Sequence, residues 1–149
     1  RSEVQVQEER EEEDRSQTGL HRCQNQQDQR VTMTTITFMR SGETLWGFRS
    51  CGHTGYAEEG SDILCAAVSS MSLLVVNTMQ DGYGAQVDYQ VDEETPCLSV
   101  AVPALIAGGI DENVRFAVSR LIEAYRRQLQ ELAGDYPKYI RVVISAEDP

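Results

Sequence analysis

The chain has 149 residues, enough for one ordinary domain and its core and short for two. Its 24 acidic and 13 basic side chains leave a formal net charge of −11, which argues against direct nucleic-acid binding because no basic excess exists to displace counterions from phosphates. No apolar run approaches membrane-spanning length and the first residues lack a secretory-signal pattern, so a cytoplasmic protein with no membrane contact is expected.

Residues 1–30 read as a disordered, acidic and Gln-rich extension, with almost nothing to bury against the entropy of ordering. The first strongly patterned segment begins near Met33, where a native start is suspected, and a single domain is expected over 31–149. Val31–Arg40 is rich in Thr and β-branched residues and reads as a strand. Ser41-Gly42 is a turn, and Thr44–Ser50 completes a hairpin. Thr54–Gly60 is a glycine-bearing, acidic loop. Ser61 then suits an N-cap for a helix from Asp62 to about Gln80, stopped by Asp81-Gly82-Tyr83-Gly84. Val87, Tyr89 and Val91 alternate with polar residues, which predicts a strand over Gln86–Asp92 with one buried face. Leu98, Val100 and Val102 repeat that period. A second helix begins near Asp111, with Val114, Val118, Leu121, Ile122, Tyr125, Leu129 and Leu132 on one stripe and Gly134 as its stop. Tyr139–Ser145 is the last strand. The order ββαββαβ predicts an α+β fold, two helices packed on a mostly antiparallel sheet of about five strands.

The chemistry-bearing stretch runs from Cys51 to Cys65. His53 stands where a strand gives way to the loop, and Cys65 falls in the first turn of the following helix. The first N–H groups of a helix lack intrahelical partners and carry partial positive charge, which favours a thiolate and suits an oxyanion. A nearby imidazole can take the thiol proton. Asp62, three residues before Cys65, either orients His53 or caps the helix. Ser69 lies one turn beyond Cys65 on the same face. The plainer readings are core packing for Cys65, a helix-start charge for Asp62 and helix filler for Ser69. Cys51-x-His53 with Cys65 or Cys97, and His21-x-Cys23, offer metal ligands, but none has the paired spacing of a structural zinc site. Four cysteines are too few and scattered for a disulfide scaffold, so thiols are expected, with Cys51 and Cys97 as core or sheet residues.

Gly-His-Thr-Gly-Tyr-Ala-Glu-Glu-Gly-Ser-Asp-Ile-Leu-Cys-Ala-Ala-Val-Ser, residues 52–69, resembles the signature of the ribosomal-processing cysteine protease family, Prp. The resemblance extends from about Met33 to the last strand. It implies a catalytic dyad of His53 and Cys65, with Gly52, Asp62 and Ser69 as supporting residues. Thr54 stands where the family more often has Ala. The resemblance also implies a homodimer and a loop that orders over substrate, here Thr54–Gly60 with Gly55 and Gly60 as hinges and Tyr56 as its one large side chain. The implied activity is removal of a short N-terminal extension from a bacterial large-subunit ribosomal protein, after a Phe-containing segment. The implied substrate is basic, and the charge of this chain is complementary to it. No metal or other cofactor is expected. The alternative is a non-catalytic acidic module that binds a basic ribosomal protein in the same cleft.

Overall fold

The computed structural model describes residues 33–58, 61–92 and 94–149. The expected disordered extension, residues 1–30, and Gly60 lie outside these.

Five strands form one sheet: β1 (Thr34–Ser41), β2 (Thr44–Cys51), β3 (Asp88–Asp92), β4 (Cys97–Ala101) and β5 (Ile140–Ala146), in the spatial order β3-β4-β2-β1-β5. All pairings are antiparallel except β1 with β5. The helices are α1 (Ile63–Asn77), which continues as a π-helical turn over Thr78–Gly82, a short α2 (Ala104–Ala107) and α3 (Glu112–Asp135). The expected α+β order is therefore present, with α2 added. Four residues are too few to show a helical period, which is why α2 has no sequence signal.

Strand alternation decides which residues meet the helices. Phe38 of β1 lies opposite Phe48 of β2, with ring centroids 5.9 Å apart. Tyr125 of α3 packs edge-on against both, at 5.8 and 5.0 Å. Ile36, Val100, Val118, Ile122 and Leu129 complete a core with no exposed surface. Burying each such side chain contributes roughly 1.5–3 kcal/mol. The Tyr125 hydroxyl lies 2.6 Å from Ser72 Oγ of α1, so both long helices share one face of the sheet. Burial pushes the Tyr125 phenol up to about 12, and the Ser72 bond partly opposes that shift.

Three sequence readings change. Segment Ile63–Gly82 is long and apolar enough to cross a membrane by length and composition. It is the sheet-packed helix and its turn, held through Leu64, Val68, Val75, Val76 and Met79. Its serines had masked the run. β3 does not bury one face: all five of its residues are exposed. It is an edge strand, and its apolar side chains border a groove. Cys51 and Cys97, expected as separate sheet residues, are brought sulfur to sulfur. They lie directly opposite each other on β2 and β4, with Cα atoms 4.1 Å apart. This is the close, non-hydrogen-bonded kind of antiparallel pair, flanked by the Gly52 N–H to Pro96 carbonyl bond.

Candidate active site

The N-cap of α1 is Asp62, one residue later than expected. Asp62 Oδ1 accepts from the N–H groups of Leu64 and Cys65, at 3.1 and 3.0 Å. Its other oxygen, Oδ2, accepts from Thr54 Oγ1 at 2.5 Å and from the Tyr56 N–H at 3.1 Å. One carboxylate thus caps the helix and ties the preceding loop to it. Of its two sequence-level roles, capping is the one present, since no bond joins it to His53. Burial works to raise the Asp62 pKa, but the bonds from Thr54, Cys65 and Tyr56 outweigh it and hold the carboxyl below its usual 3.8. The cap also corrects the expected oxyanion site. The amides of Leu64 and Cys65 are already bonded to Asp62, and the Ala66 N–H to the Asp62 carbonyl.

A carboxyl whose native value is depressed stabilises the fold above its unfolded value and loses that contribution as pH falls through the native one. Asp62→Ala should therefore cost about 1 kcal/mol at neutral pH. The deficit should start to shrink as pH falls below the usual 3.8 and vanish only below the depressed native value, where the folded wild-type carboxylate is itself protonated. Urea unfolding of both proteins at neutral and acid pH measures this; a deficit independent of pH would contradict it.

Gly52 places His53. Its N–H donates to the Pro96 carbonyl at 2.9 Å, and its carbonyl accepts from the buried Thr34 hydroxyl at 3.2 Å. Its φ of +92° turns the chain out of β2. A Cβ there would lie 2.6 Å from the Met33 carbonyl oxygen, so only glycine fits without movement. His53 is exposed at the end of this clamp, and its Nδ1 lies 4.0 Å from Cys65 Sγ. Cys65, the third residue of α1, is half-buried. The nearest polar groups to its sulfur belong to Thr54, whose backbone N–H and hydroxyl both lie at 3.3 Å. The sequence marks Thr54 only as the start of the loop and a departure from the family's usual Ala; the available signal for a role was a β-branched hydroxyl beside the histidine in a loop of small and acidic residues.

His53 and Cys65 open on a groove of about 340 Å³ between α1 and the β3–β4 end of the sheet. Ser69 lines it, together with Val68 and Leu73 of α1 and Tyr89, Val91 and Leu98 of the sheet. Sequence reading missed these walls because Tyr89 and Val91 were assigned to a buried face. Tyr56 does not line the groove. It packs edge-on against Tyr136 and Tyr139, at centroid distances of 5.9 and 5.2 Å, beside the end of α3. The positive φ of Gly55, +61°, turns the chain just before it. A larger hollow of about 930 Å³ lies between α3 and the β1–β2 turn and includes neither His53 nor Cys65.

Known proteins match this arrangement. A Streptococcus mutans protein of known crystal structure superposes with a TM-score of 0.63 at 29% identity, covering 77% of this chain and 96% of that one. The essential ribosomal processing protease Prp from S. aureus, crystallised with a covalently linked product peptide, superposes with a TM-score of 0.64 at 19% identity, covering 76% and 100%. The same S. aureus protein with a substrate peptide gives 0.62 at 18%, with the same coverage. No curated protein matches the chain. Residues 33–141 match the family model of the cysteine protease Prp, spanning the hairpin, the His53–Cys65 loop, both long helices and the start of β5. The chain belongs to the Prp family of cysteine proteases.

Proposed function

We propose that this chain is a cytoplasmic, homodimeric cysteine endopeptidase that removes a short N-terminal extension from a large-subunit ribosomal protein, cleaving after a Phe-containing segment. The observation that carries this reading is the approach of His53 Nδ1 to Cys65 Sγ, 4.0 Å, at the mouth of an apolar groove. His53 accepts the thiol proton, and the sulfur attacks the scissile carbonyl. The acyl-enzyme forms as the leaving amine takes that proton from the imidazolium. Water, deprotonated by His53, then releases the acyl product and restores the thiol. The groove walls suit an apolar peptide side chain, and the S. aureus relative binds a substrate peptide.

The test is a precursor-like peptide with Phe before the cleaved bond. Burying a Phe side chain contributes roughly 1.5–3 kcal/mol, so its Phe→Ala analogue should lose at least about an order of magnitude in kcat/KM. Equal turnover of the two peptides removes the Phe preference. Binding of the peptide with no cleavage favours a non-catalytic acidic module.

A further inference from the structure

Among the described loop residues, Thr54 alone is fully buried, at 0% exposure. Its amide and hydroxyl both reach the Cys65 sulfur, at 3.3 Å each. The same hydroxyl lies 2.5 Å from Asp62 Oδ2. A threonine hydroxyl has one hydrogen and spare lone pairs, so it donates to one of these neighbours at a time. A carboxylate is a far better acceptor than a neutral thiol. With Cys65 protonated, the hydroxyl hydrogen points to Asp62 and an Oγ1 lone pair is left for the S–H. Once the sulfur is an anion the preference is contested, because the thiolate is also a charged acceptor.

We propose that the Thr54 hydroxyl is a hydrogen-bond switch on the nucleophile, donating to Asp62 while Cys65 is a thiol and to the sulfur once it is a thiolate. This rests on Cys65 being the nucleophile. The thiol proton goes to His53 and not through Thr54; only the direction of the hydroxyl changes. Thr54 then offers two donors to the anion, its N–H and its O–H. Asp62 retains the amides of Tyr56, Leu64 and Cys65. When the sulfur becomes a neutral thioester, the hydroxyl returns to Asp62. The charged or titratable groups around the sulfur are His53 at the end of β2, Asp62 at the start of α1, and Tyr89 and Asp92 of β3 on the groove wall. Two of these are carboxylates that oppose a second anion, so a switchable donor has a definite task. The role is that of a positioning residue that stabilises one charge state of the sulfur.

The experiment uses Thr54→Val, which keeps the shape and removes the hydroxyl, and Thr54→Ser, which keeps the hydroxyl. Iodoacetamide labelling of Cys65, located by peptide mapping, is followed against pH. Kinetic constants are measured on the Phe peptide. For Thr54→Val, labelling should need a pH about one unit higher to reach half its plateau, and kcat should fall about tenfold with KM kept, as for loss of one charge-assisted bond. Thr54→Ser should restore both to within about twofold. Labelling of Thr54→Val that superimposes on wild type overturns the proposal. Equal impairment of the Val and Ser variants also overturns it, because keeping the hydroxyl would then rescue nothing. Should Thr54→Val not fold, Thr54→Ala supplies the same comparison. If wild type cleaves no peptide, the proteolytic reading fails, while the labelling profiles still decide whether Thr54 serves the sulfur.

Discussion

Cys65→Ala should abolish peptide cleavage and keep the fold, at a cost of about 1 kcal/mol because the buried Thr54 N–H loses its acceptor. The reasons are local. Position 65 is the third residue of α1, where alanine is the best helix former, and the half-buried sulfur is the only atom removed. The Asp62 cap bonds the backbone N–H of residue 65, which the substitution retains. His53→Ala should lose most of the activity too, and the double variant should be no worse than Cys65→Ala, because the pair acts as a unit. Mass spectrometry of the peptide after long incubation, with circular dichroism on each variant, measures both halves. Undiminished cleavage by Cys65→Ala would end the assignment of the nucleophile.

Gly52→Ala should be the most damaging substitution outside the dyad. Its Cβ would meet the Met33 carbonyl oxygen at 2.6 Å, and that atom is backbone, held at the start of β1. The φ of +92° is also one that L side chains rarely adopt. The chain must shift, and the residue that moves with it is His53. A displacement of about 1 Å in a reacting group is enough for a hundredfold loss, so kcat should fall by about that factor. Iodoacetamide should still reach Cys65, since α1 is not disturbed. Gly42→Ala is the control: its φ is +57°, but a methyl group there would meet nothing within 4 Å, and the position is far from the site in the β1–β2 turn. It should cost some stability and leave kcat unchanged. Similar kcat losses in both variants would mean that the Gly52 clamp does not position the imidazole.

The sequence was most informative where one periodicity dominated. The α3 stripe from Val118 to Leu129 and the alternation of Ile36 and Phe38 each face one core, so local pattern and tertiary burial agree. The close succession of strand end, loop and helix start only permits His53 and Cys65 to meet; it is the family resemblance of residues 52–69 that implies the pair. What was not legible depended on neighbours remote in the chain. Ser61 and Asp62 are both good caps, and only the loop amide of Tyr56 and hydroxyl of Thr54 favour Asp62. The Cys51–Cys97 pairing follows from the β2–β4 register, which no local pattern encodes. Val91 looks like a core residue by alternation, but on an edge strand it is 54% exposed.

β1 lies inside the sheet and pairs in parallel with β5, Thr34 opposite Ile140. The single tryptophan, Trp46 on β2, donates its indole N–H to the Glu147 carbonyl at 2.8 Å, across 101 residues of chain. Thr34 in turn holds the Gly52 carbonyl. During synthesis, therefore, His53 and Cys65 emerge long before the strand that flanks Thr34. A nascent chain that has not yet reached Ile140 contains both reactive side chains but lacks one border of the strand that steadies them. Pairings this distant are closed late, because their loop entropy must be met first. β5, and Glu147 just after it, which accepts from the Trp46 indole, are thus the last parts of this support to be synthesised.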